Sequence, residues 1–182
     1  LAYLQLKKTS KAEYYFEKVL KMNPSSSEGL TNFARTKMQS GNYQLAIDAL
    51  LSIEDKNINP VRVKLLLIDS YQQSKQIKKA ITVNKELLAE FPNDSFFHQR
   101  IGALYGLNNE LALARSSFNK ALTLDENNIL AIVHLGRMDN ISGKTESALK
   151  FLQSKLNLFP KNTFIMAQLS DSYLTSKDFN NC

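Results

Sequence analysis

Residues 95–128, SFFHQRIGALYGLNNELALARSSFNKALTLDENN, carry two helical periods back to back. His98, Ile101, Gly102 and Tyr105 fall at i, i+3, i+4 and i+7, so they share one face of a first helix, A. Ala114, Phe118, Ala121 and Leu122 share one face of a second helix, B. Asn108-Asn109-Glu110 lies between them, and Asn127-Asn128 follows the second. The segment therefore reads as a helical hairpin in which small residues, Gly102 and Ala114, permit close approach and large ones fill the flanks.

Outward from Ala114 the same register recurs in both directions. Small residues stand at Ala12, Ala46, Ala80, Ala114 and Ala148, then Cys182, each 34 residues from the last, with no insertion or deletion. With that residue set at position 20, units begin at Ser27, Val61, Ser95, Ile129 and Thr163. Position 7 reads Phe33, Leu67, Ile101, Leu135, Leu169, and position 8 reads Ala34, Ile68, Gly102, Gly136, Ser170. Position 11 carries Tyr3, Tyr71, Tyr105 and Tyr173, interrupted by Lys37 and Asp139. Position 24 carries Phe16, Leu50, Phe118 and Leu152, with Asn84 the exception, and units close on Pro24, Pro92 and Pro160 but on Ile58 and Glu126 elsewhere.

The pattern predicts A helices near 27–40, 61–74, 95–108, 129–142 and 163–176. B helices are expected near 9–22, 43–56, 77–90, 111–124 and 145–158. Gly41-Asn42 and Gly143-Lys144 punctuate hairpins, Asn23-Pro24 and Pro92-Asn93 separate units, and Asp94 or Ser95 is expected to cap the helix that follows. These residues resemble the tetratricopeptide repeat, whose signature places a large residue, then Leu-Gly, Tyr, Ala, Phe and Pro at fixed offsets in 34 residues. There is no Trp; the position it often takes holds Leu30, Lys64, His98, Ile132 and Met166. The resemblance implies an all-α, right-handed superhelical solenoid of antiparallel helix pairs. The chain then reads as one array: a partial repeat 1–26, repeats 27–60, 61–94, 95–128 and 129–162, and a partial repeat 163–182. Because Leu1 is no initiator Met, an excerpt of a longer protein is expected. A weaker similarity, in the uninterrupted register alone, is to long bacterial arrays of exopolysaccharide export and surface-protein sorting.

Composition limits the chemistry. The chain has 182 residues, 43% of them hydrophobic, with 6 Gly and 4 Pro, and it leans helical. A net charge of +6 arises from 23 basic residues interspersed with 17 acidic ones rather than from a tract. No apolar run reaches the roughly 18 to 20 residues of a membrane span. The one cysteine excludes an internal disulfide or a Cys-based metal site, and His98 and His134 have no ligand partner at metal-binding spacing. The carboxylate pairs Glu54-Asp55 and Asp125-Glu126 fall in predicted turns, where nothing converges on a reacting group. Lys75, Lys78, Lys79 and Lys85 lack interleaved aromatics, so nucleic acid is not an expected partner. Gly102 and Gly106 form G-x-x-x-G, read as close helix packing. Asn93-Asp94-Ser95 and Asn140-Ile141-Ser142 match a glycosylation sequon, a pattern too short to assign. No catalytic residue, cofactor or metal is expected, and the sequence selects no compartment, cytoplasm and cell envelope both being compatible.

In the resembling family the A helices build a concave wall that binds an extended peptide or a partner's helix. Positions 2, 5, 6, 9, 12 and 13 would face it: Asn32, Arg35, Gln39, Arg62, Asp69, Gln73, Phe96, Gln99, Arg100, His134, Arg137, Gln168 and Asp171. Amides can hydrogen-bond an extended backbone and Arg can fork onto a carboxylate, so a protein or peptide of acidic character is the expected partner. The carboxylate clamp of chaperone-tail binders is incomplete, because Leu65 and Leu66 stand where polar clamp residues are needed. The alternatives are a structural spacer or a solenoid that self-associates through uncapped ends, with Met166, Leu169 and Tyr173 on the last helix, or the repeat arm of a larger enzyme or export complex.

Overall fold

The computed structural model describes residues 9–23, 25–53 and 60–178. Every regular element among them is a helix: α1 Thr9–Met22, α2 Ser27–Gln39, α3 Tyr43–Leu51, α4 Pro60–Gln73, α5 Ile77–Glu90, α6 Ser95–Leu107, α7 Leu111–Leu124, α8 Ile129–Ile141, α9 Thr145–Leu158 and α10 Thr163–Asp178. The A helices are thus α2, α4, α6, α8 and α10. Only α3 departs appreciably from expectation, ending at Leu51 instead of near residue 56. Tyr3, Pro24, Glu54, Asp55, Ile58 and Cys182, on which expectations also fall, lie outside the described residues, as does the side chain of Ala12.

Side chains at one register position start the A helices. Ser26 Oγ accepts from Gly29 N at 3.1 Å, Asp94 from Phe96 N at 2.8 Å, and Asn128 from Ala131 N at 3.0 Å. Asn162 accepts from both Phe164 N and Ile165 N at 3.1 Å. Each satisfies amides that a first turn leaves unpaired. Pro60, at the same register position, opens α4 as its first residue, where a missing N–H costs nothing. Of the two caps expected at α6, Asp94 does the capping; Ser95 donates to the Ala121 carbonyl at 2.9 Å instead.

The hairpin turns are equally regular. Gly41, Lys75, Asn109 and Gly143 all adopt positive φ, from 62° to 78°. Each is followed by an amide that reaches back across the helix end: Asn42 to Lys37, Gln76 to Tyr71, Glu110 to Tyr105 and Lys144 to Asp139, at 2.8 to 2.9 Å. This is the Schellman closure, which caps the last carbonyls and reverses the chain.

The chain divides into two compact units, residues 1–87 and 88–182, with the division inside α5. In unit 1, α1, α2, α3 and α4 pack in succession, and α5 is tied to α4 by a Lys64–Glu86 ion pair at 3.3 Å and by Lys79 over the Tyr71 ring. Its interior holds Ala34, Ala46, Ile68 and Ala80, all fully buried, with Ile47, Leu50 and Leu87. In unit 2, α6 packs tightly on α7, α7 on α8, and α8, α9 and α10 mutually, around Ile132, Leu152, Ile165 and Leu169.

Position 8 sets how close the helices come. A Cβ on Gly102 would lie 2.8 Å from the Phe118 ring, and one on Gly136 would lie 2.8 Å from Leu152. The position-8 glycines of α6 and α8 therefore receive the position-24 side chains of α7 and α9. Gly106, the other glycine of the G-x-x-x-G, has open space around it, so close packing accounts for Gly102 alone. The two charged interruptions at position 11 are also explained. Lys37 pairs with Glu17 of α1 at 3.6 Å, and Asp139 with Arg115 of α7 at 2.6 Å, each facing the preceding B helix.

Candidate partner-binding face

Helix packing separates the candidate side chains into two groups. Those at positions 5 and 6 turn inward. Asn32, Gln99 and Gln168 are each only 6% exposed. The His134 ring stacks on Phe118 of α7, with centroids 4.7 Å apart and planes 13° from parallel. Burial first, and the Arg137 charge second, hold its pKa below the usual 6.5, so the imidazole is neutral near neutral pH. Arg100 is half-buried, with Nε in the interior and the guanidinium over the Phe96 ring at 5.6 Å. These residues serve the packing between consecutive helices as much as any surface.

Positions 2, 9 and 13 turn outward. Arg35, Gln39, Arg62, Gln73, Phe96, Arg137 and Asp171 are exposed, and Asp69 is half-buried. Arg35, Gln39, Gln73 and Arg137 have no hydrogen-bond or ion-pair partner among the described residues. Five exposed residues of the same register were not singled out by sequence reasoning: Leu107, Leu130, Ile141, Phe164 and Leu174. The signal for them was present, because positions 2, 12 and 13 were among those expected to face outward. A selection that kept one apolar residue, Phe96, and otherwise polar ones passed over them.

Among the described residues no three His, Cys, Asp or Glu side chains gather as a metal site, and no helix is long and apolar enough to cross a membrane. His98 Nε2 donates to the Pro92 carbonyl at 2.8 Å, a structural task at the start of α6. Asn140 of the second sequon is half-buried and donates to Ser172 Oγ at 2.7 Å.

Comparison with known proteins places the fold in context. The sequence pattern described as "Tetratricopeptide repeat" matches residues 1–26 and 97–128. A Caenorhabditis elegans protein named tetratricopeptide repeat-containing protein trd-1 is 34% identical over 95 residues, which is 52% of this chain and 11% of that protein. Among solved structures, a tetratricopeptide repeat protein from Parabacteroides merdae superposes with a TM-score of 0.80 at 17% identity, covering 97% of this chain and 70% of that one. MamA from Desulfovibrio magneticus does so at 0.74 and 20% identity, covering 89% and 92%. YrrB, described as a TPR protein with an unusual peptide-binding site, gives 0.67 at 16% identity, covering 91% and 86%. The 34-residue register, the repeated caps and turns, the glycine-centred helix crossings and these similarities agree: the chain has the tetratricopeptide-repeat fold, with the family's own pattern matched at residues 1–26 and 97–128.

Proposed function

We propose that this chain is a binding scaffold, an array of repeats whose outward A-helix positions hold a protein or peptide partner. The observation that carries the reading is the set of Arg35, Gln39, Gln73 and Arg137, exposed donors with no partner inside the fold. Gln at position 13 of α2 and α4 suits main-chain recognition by amides, and Arg at position 9 of α2 and α8 suits carboxylate recognition. The family, and the peptide-binding site described for YrrB, support it in general terms.

Arg100 is a poor choice for testing this, since reversing a half-buried charge would also disturb packing. The better pair is Arg35→Glu with Arg137→Glu, both exposed, set against Lys78→Glu with Lys120→Glu on B helices. Capture of a specific protein from lysate should be lost with the first pair and kept with the second, at unchanged helical content. Equal capture by both refutes the assignment.

A further inference from the structure

Unit 2 narrows the chemistry of the partner, an inference that rests on the A-helix positions being a binding face. At position 2 the three A helices of this unit carry Phe96, Leu130 and Phe164, exposed by 46%, 46% and 62%. The same helices bury Phe97, Ile132 and Ile165 to 4% or less, so the outward residues are surplus to the core. Their A helices are spatial neighbours, α6 approaching α8 and α8 packing on α10. Packed helices lie about 8–10 Å apart, which sets the spacing of the apolar row.

The charge beside the row is basic at one place. Arg137 stands two helical turns after Leu130 on the same face of α8, at i+7. It is exposed and has no ion-pair partner, while Asp139, the acid nearest it in sequence, is already engaged by Arg115 at 2.6 Å. Asp171 holds the equivalent position on α10, so a carboxylate is favoured over α8 and disfavoured over α10.

We propose that unit 2 binds an extended segment of a partner protein bearing an apolar side chain at every third residue and one acidic side chain positioned over α8. A polyproline-II strand advances about 9 Å in three residues, matching the spacing of neighbouring helices. An amphipathic helix would present an apolar stripe about 100° wide, and the other exposed apolar residue of the outward register on each A helix, Leu107, Ile141 or Leu174, stands about 15 Å along the helix from the row, too far to widen it for such a stripe.

The test uses the whole chain and a capped, fluorescein-labelled probe peptide, Leu-Ser-Pro-Leu-Glu-Pro-Leu-Ser-Pro, read by fluorescence anisotropy. Replacing its three Leu by Ser should weaken binding about ten-fold or more, and replacing Glu by Lys about three-fold or more. Leu130→Ser with Phe164→Ser should lose about ten-fold. Arg137→Glu should reverse the preference between the Glu and Lys probes, a readout that partial unfolding cannot produce. Circular dichroism accompanies each variant; should the Leu130/Phe164 pair unfold, the Arg137→Glu reversal decides. Equal affinity for the Leu and Ser probes, indifference to both sets of variants, no binding by the unaltered chain, or tighter binding of a helix-stapled peptide of the same composition would each overturn the proposal. In any of those cases, lysate capture that is still lost with Arg35→Glu and Arg137→Glu preserves the scaffold reading, and capture unaffected by that pair removes it too.

Discussion

At register position 2, unit 1 carries Glu28 and Arg62, and unit 2 carries Phe96, Leu130 and Phe164; at position 13, Gln39 and Gln73 of unit 1 are answered by Leu107 and Ile141 of unit 2. All of these are exposed, and the backbone beneath them follows the same caps, turns and 34-residue step. Packing therefore does not dictate the difference. Inside, the same two units differ under a constraint. Position 8 and position 24 read Ala34 with Leu50 and Ile68 with Asn84 in unit 1, but Gly102 with Phe118 and Gly136 with Leu152 in unit 2. Where one side chain of the pair is large the other is smaller, as a densely packed crossing requires. Interior variation is compensated; exterior variation is not.

The largest effect should come from a position where the units do not differ. Ala46, Ala80, Ala114 and Ala148 are fully buried in both. Ala114→Arg forces a long charged side chain into a helix crossing and should cost about 4 kcal/mol or more, by overpacking together with charge burial. Ala46→Arg should be equally damaging in unit 1. A denaturation midpoint unchanged by either substitution would show that the 34-residue register has been misplaced.

Next in size is an exchange of interior pairs between units. Gly102→Ile alone drives a side chain into the Phe118 ring, which is 2% exposed and has nowhere to go. It should cost about 2–3 kcal/mol. Gly102→Ile with Phe118→Asn rebuilds in unit 2 the Ile68–Asn84 combination of unit 1. The double variant should recover about 1 kcal/mol or more relative to the sum of the single changes, the coupling expected of contacting residues. Strict additivity would mean that volume is not what links the two positions.

A smaller effect separates the units by pH. Position 6 holds Asn32 in unit 1, which does not titrate, and His134 in unit 2, whose pKa is lowered by burial and by Arg137. Near neutral pH the imidazole is uncharged in folded and unfolded chains alike, so its contribution is complete above the unfolded value near 6.5. As pH falls below that value the unfolded chain binds the proton first, and stability declines until the folded imidazole is also protonated. His134→Gln should abolish this component of the acid-side decline. Arg137→Ala should move the His134 midpoint upward in an NMR titration; a downward movement would contradict the cause assigned to it.

The helices, their order and the small residues at the crossings were legible in the sequence because each depends on local period and on volume. The outward set was legible only in part. Asn32, Gln99 and Gln168 look like surface residues by type, yet position 6, and position 5 in α6, turn toward neighbouring helices, an orientation fixed by how helices cross and not by the period of one helix. Leu130 and Phe164 were passed over for the converse reason, since an apolar residue on a helix is ordinarily assigned to the core. Register position was the better guide, and residue type misled in both directions.

The smallest effect sits at the turns. All four described hairpins use a left-handed residue, but two of them spend no glycine on it: Lys75 has φ 62° and Asn109 has φ 63°, beside Gly41 at 78° and Gly143 at 72°. Asn tolerates that conformation better than Lys, so Lys75, in unit 1, is the costliest of the four. Lys75→Gly removes a steric penalty of about 1–2 kcal/mol, offset in part by the greater freedom of glycine in the unfolded chain. A net gain of about 0.5–1 kcal/mol in chemical denaturation is expected, and Asn109→Gly should gain less. Gly41→Ala should lose about 1 kcal/mol. The three variants rank the turns by residue alone, because the Schellman hydrogen bonds are the same at each. A gain for Asn109→Gly exceeding that for Lys75→Gly would mean that the Lys75 side chain has a compensating role.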